Sequence, residues 1–173
     1  MNATGGQVTY LTCAEKDYEF FYHDVRDGRV ANYLAAMAQN IVERYLKHVI
    51  DKEFIPISEV EEYEKAQNLR SHNLDKLARC VNDHTTLNFT EEQIVSIDKA
   101  NGYYFSTRYP GDEYADVRKE DIDKCSEAVE TCRDAVLGHF YFKTHESEKI
   151  QTQTEIIINE AKNKAKQKHN ILK

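Results

Sequence analysis

Ten residues, FSTRYPGDEY (Phe105 to Tyr114), gather an arginine, three aromatics, one of two prolines and two acids. The Arg108 guanidinium is a planar fork suited to phosphate or carboxylate, and Tyr109 offers a ring on which a base stacks. Pro110 fixes its own φ and biases Tyr109 toward extended backbone, so the pair is held out of helix. Either Arg108 and Tyr109 meet a nucleotide, or Arg108 pairs with Asp112 or Glu113 and ties a loop to the body. A second stretch, SHNLDKL (Ser71 to Leu77), carries His72 and Lys76. Four residues apart on a helix beginning at Ser71, they share a face. Lys76 is there to meet a phosphate or is an ordinary surface lysine, and His72 is a functional or a capping histidine. No spacing of His, Cys, Asp or Glu suggests a metal site, and no glycine-rich phosphate loop suggests a bound cofactor.

These residues need elements to position them. The chain has 173 residues, 31% of them charged, with only 6 Gly and 2 Pro. That balance favours helices over a turn-rich β fold and one domain of ordinary size. No run approaches the roughly 18 apolar residues of a membrane span. The first residues, MNATGGQVTY, lack the basic start and apolar centre of a signal peptide, so a cytoplasmic protein is expected. None of Cys13, Cys80, Cys125 and Cys132 forms a CxxC pair. They read as small core side chains. Charge is uneven, because residues 161–173 hold five lysines and no acid while residues 1–160 hold 18 bases against 30 acids. An acidic body argues against broad, non-specific nucleic-acid binding. The basic end touches RNA or an acidic partner, or is a solvated helix end.

Periodicity places a first helix over 12–25, with Tyr18, Phe21, Tyr22 and Val25 as its buried stripe and Gly28 beyond its stop. A second spans 29–55, ended by Pro56. Its wide stripe, from Leu34 to Ile50, suits a central helix facing two neighbours, with Glu43 and Lys47 paired on a flank. Residues 58–70 are acidic and remain open between helix and loop. A third helix is expected over 71–84. Thr90 and Gln93 form a capping box that starts another, and a long helix runs from 118 to about 144 with a near-heptad stripe. The expected fold is all-α, an antiparallel up-and-down bundle of four to five main helices. Residues 1–11 are a flexible N-terminus, 12–145 the bundle, and 146–173 a polar, basic helical extension.

Three stretches then resemble one family in order. Gly28 to Ile50 resembles the second helix of HEPN domains, with Gln39, Glu43 and Lys47 at its Q-x-x-x-E-x-x-x-K positions. Ser71 to Leu77 resembles the His-Asx-Leu opening of the third, and Thr107 to Tyr114 the Arg-Tyr-Pro-acidic segment before the last. The acidic stretch 58–70 is longer than the usual link, and the chain after His145 lies outside the pattern. The resemblance implies a module that commonly dimerises and associates with nucleotide or RNA. Arg108, Tyr109, His72 and Lys76 would be its nucleotide-binding residues. It also implies defence or toxin–antitoxin systems with a nucleotidyltransferase or antitoxin partner. In many branches it implies metal-independent RNA cleavage through Arg-x(4–6)-His. Arg133 with His139 and Arg79 with His84 both satisfy that spacing, Arg133 with a polar follower, Asp134. Histidine would move the 2′-hydroxyl proton and arginine hold the phosphate. On a straight helix those partners point well apart, so convergence needs a break, at Gly138 for instance, or a dimer. The alternatives are a HEPN ribonuclease using Arg133 and His139, a non-catalytic nucleotide- or RNA-associated module, and a purely partner-binding helical protein. The non-catalytic reading is preferred.

Overall fold

The computed structural model describes residues 8–107 and 116–144, and every regular element among them is helical. The helices are α1 Tyr10–Arg26, α2 Asn32–Glu53, α3 Glu59–Arg70, α4 Leu74–His84, α5 Glu91–Asp98 and α6 Tyr103–Ser106. A seventh, α7, covers residues 119–144. The chain divides into two compact units, Met1–Val136 and Leu137–Lys173. The first holds α1 to α6 and the 119–136 part of α7. In the second, the described residues are the helical 137–144. Arg108, Tyr109 and the extension 146–173 lie outside the described residues. No described helix is long and apolar enough to cross a membrane.

Local chemistry sets the helix starts. The Thr90 hydroxyl accepts from the Gln93 N–H while the Gln93 side chain accepts from the Thr90 N–H, the capping box that the sequence announces. Ser58 caps the acidic stretch, and three glutamates in the first turn suit the positive helix pole, so 59–70 is helix. α3 is fixed to α2 through Lys65, whose ammonium donates to the Asp51 and Phe54 carbonyls at 3.0 and 2.8 Å. Those carbonyls belong to the end of α2, where intrahelical partners run out. α2 itself stops at Glu53, ahead of Pro56, and leaves Ile55 exposed. One boundary differs from expectation with consequences. Asn73 is extended (φ −87°, ψ 115°) and its side chain accepts the Lys76 N–H, so α4 begins at Leu74 and His72 precedes it.

Cross-helix bonds give the directions. Tyr33 reaches Asp24, Arg44 reaches Asp17 and Tyr45 reaches Glu15, so α1 and α2 are antiparallel. Lys65 with Asp51 sets α3 against α2, and Arg79 with Glu91 sets α4 against α5. Tyr18 with Glu130 and Ser96 with Glu127 bring in the first part of α7. The result is that α2, α4 and the 119–136 part of α7 run one way and α1 and α5 the other.

α2 is the hub, packing on α1, α3, α4 and α6, and the Cys132 thiol of α7 lies on its Val42 carbonyl. Tyr45, Leu46, Ile41, Ile50, Phe21 and Leu77 lie at the centre of the core. Neighbours cover most of α2, and only Tyr33, Asp51 and Lys52 of it are exposed, in place of a long solvated flank. Glu43 and Lys47, expected on one, are 8% and 5% exposed. α1 is the opposite case. Only Ala14 and Phe21 of it are buried, and Tyr22, expected inward, is exposed. Cys80, Cys125 and Cys132 are buried thiols, as expected, while Cys13 is half-buried. Burial pushes Cys80 up to about 11 and Cys125 up to about 12.

Candidate functional site

Gln39, Glu43 and Lys47 succeed one another at four-residue intervals and therefore form one row along α2. In water such a row would be a solvated charge ladder. Here it is buried and must find partners within the fold. Gln39, 1% exposed, finds two. Its Nε2 donates to the His72 carbonyl at 3.0 Å, and its Oε1 accepts the Tyr104 N–H at 2.7 Å. One carboxamide thus closes the gap between the segment before α4 and the start of α6. Glu43 divides its two oxygens similarly. Oε1 accepts from the Lys47 ammonium at 2.7 Å, and Oε2 lies 2.9 Å from His72 Nδ1.

His72 is held from both ends, its backbone by Gln39 and its ring by Glu43. A carboxylate facing Nδ1 puts the proton on that nitrogen, leaving Nε2 to accept in the neutral ring or donate in the charged one. The imidazole lies parallel to the Tyr104 ring (3°, centroids 6.0 Å) and edge-on to Phe105 (81°, 6.2 Å). Tyr104 and Phe105 meet each other edge-on at 5.0 Å. Gly102 turns the chain into α6 at φ +89°, a conformation in which a side chain is strained. The side chain of His72 is 53% exposed and Phe105 56% exposed. A buried polar row therefore supports a half-exposed face of three rings.

The remaining candidates are placed as follows. Thr107, next to Arg108 in sequence, bonds back to the Tyr103 carbonyl and lines a cleft of about 480 Å³ with Asp17, Tyr33 and Asn40. Lys76 does not share a helix face with His72, because His72 lies outside α4. It lines another cleft, about 400 Å³, with Asn68, Asp75, Arg79 and Asp83. Arg79 pairs with Asp75 and Glu91. His84 stacks on Phe54 (centroids 3.9 Å) with Nε2 3.2 Å from Glu64.

Arg133 belongs to the first unit and His139 to the second. The Arg133 fork donates to both Glu15 oxygens at 3.1 and 2.9 Å and lies over the Tyr18 ring at 4.1 Å. Burial pushes the Glu15 carboxyl up, but hydrogen bonds from Arg133 and Tyr45 and the arginine charge outweigh it, and the group ends below its ordinary value. Burial and the hydrogen bond to Glu130 push the Tyr18 phenol up to about 12. In the second unit the His139 ring meets Phe140 edge-on at 5.3 Å, and Gly138 is helical.

The sequence marks Gln39, Glu43 and Lys47 as family positions and Glu43 with Lys47 as a flank pair; it counts Phe105 among three aromatics without giving it a role and does not single out Tyr104. A glutamine amid the inward stripe of a central helix was the available signal for the first. Two adjacent rings after a glycine turn were the signal for the second. In comparison with known proteins, a family model described as the HEPN domain matches residues 8–139. No curated protein and no solved structure matches.

Proposed function

The chain belongs to the HEPN family, and from that premise we propose that it is a non-catalytic, nucleotide- or RNA-associated helical module. The observation that carries the reading is the double hydrogen bond of Gln39. It joins the second-helix motif to His72 of the third-helix motif and to Tyr104, four residues before Arg108. Two segments that resemble the family's marks thus meet on α2, beside a residue just upstream of the third. On this reading His72 contacts the ligand, Arg108 takes its phosphate with Lys76 in support, and Tyr109 stacks on it. The engagement of Arg133 by Glu15 and Tyr18 supports a packing role for that arginine over a phosphate-holding one. The module acts as a homodimer, in a paired system with a nucleotidyltransferase or antitoxin.

Titration calorimetry with nucleotides and short RNA, on wild type and Arg108→Ala, tests the reading. Micromolar binding to wild type, weakened about tenfold or more in the variant, is expected for loss of a charge-assisted phosphate contact. Equal binding by both proteins would remove Arg108 from the site. RNA cleavage by wild type that disappears in both Arg133→Ala and His139→Ala would replace this reading with the ribonuclease alternative.

A further inference from the structure

We infer that the face formed by His72, Tyr104 and Phe105 takes the ring of an unpaired nucleobase, a specification that rests on the nucleotide-associated reading above. The three rings are in mutual contact. Phe105 stands at 81° and 84° to the other two, so it does not continue the parallel His72–Tyr104 pair, and more than half of its surface stays in water. The face is also held in place. Gln39 fixes the backbone of both His72 and Tyr104, and Glu43 fixes the imidazole. A ligand that stacks there therefore orders little that is not already ordered, which lowers the cost of binding.

Charge decides which part of a nucleotide the face recognises. Residues 1–160 carry 18 bases against 30 acids, a body that repels polyphosphate and gains little from counterion release. The rings instead offer a planar surface, together with an imidazole nitrogen beyond the one that Glu43 engages. A nucleobase presents the complementary pair, a π face to stack and a polar edge to hydrogen-bond. Because every base has a π face, such a platform is tolerant of sequence. It binds the base by a contribution separate from any phosphate contact of Arg108.

Calorimetry of the full chain with adenosine, AMP, ribose 5-phosphate and an oligoadenylate of eight nucleotides tests this. Adenosine, AMP and the oligonucleotide are expected to bind and ribose 5-phosphate is not. Comparing the mononucleotide with the oligonucleotide distinguishes a free nucleotide from a strand as the source of the base. Phe105→Ala should weaken binding about tenfold, at the lower end of what one stacked base contributes. Phe105→Tyr should restore it, and the melting temperature should hold in both, since Phe105 is exposed. Failure of wild type to bind any of the four overturns both this inference and the reading beneath it. Binding of ribose 5-phosphate as tight as AMP, or binding unchanged in Phe105→Ala, overturns the stacking alone.

Discussion

Replacing Gln39 by methionine tests the junction from which the site is built. Methionine keeps the length of the side chain and removes both of its hydrogen bonds. The His72 carbonyl and the Tyr104 N–H lose their partner in a half-buried place. An unsatisfied buried group costs about 1–3 kcal/mol. The carbonyl takes the lower figure because water reaches it more readily than it serves an orphaned N–H. About 1 kcal/mol for the carbonyl and about 2 for the amide are offset by about 1 from the better transfer of methionine into the interior. The net loss is about 2 kcal/mol, or about 4–8 °C in melting temperature for a chain of this size. Thermal unfolding by circular dichroism gives the total, and amide hydrogen exchange at Tyr104 locates it. That amide should exchange faster in the variant, while α5 keeps its protection. Gln39→Glu should be worse than Gln39→Met, because it loses the donor and buries a second carboxylate one turn from Glu43. A melting temperature within about 1 °C of wild type, with Tyr104 exchange unchanged, would refute the clamp.

The buried pair gives a second prediction. Lys47→Met should cost about 3–5 kcal/mol by leaving Glu43 buried without its ammonium, and adding Glu43→Gln should recover at least half of that in denaturant titration. No recovery would show that packing, not charge, sets the cost. The third concerns pH. The Glu15 carboxyl lies below its ordinary value of 4.5, so its contribution is fully present above that pH and is lost as pH falls through the lowered value. The melting-temperature difference between wild type and Glu15→Gln should therefore be largest near neutrality and close as pH falls from 4.5 through the lowered value. A difference independent of pH would refute it.

Most of the helices were legible because their determinants are local, while 58–70 stayed open between helix and loop and α6 was not foreseen. Scarce Gly and Pro, apolar periodicity, the Thr90–Gln93 box and the turn at Gly28 act over a few residues, and they placed the helices, though not every buried face, as Tyr22 shows. The family marks were legible for the same reason, as short patterns in order. Local patterns do not report how many neighbours a helix acquires. Glu43 and Lys47 read as a surface pair because their own helix supplies an i,i+4 partner whether it is buried or solvated. Only the packing of α2 against four other helices and α7 removed the water and turned that pair into the support of His72. Asn73 likewise caps α4, which takes His72 off the helix expected to begin at Ser71, and its ring meets Glu43 instead. Gln39 finds its partners 33 and 65 residues away, a pairing that no spacing within α2 encodes. The sequence by itself therefore determined most of the elements and the types of residue from which the site is built. Tertiary structure decided which of them meet, because burial forces polar groups to pair and only the assembled neighbours supply the partners.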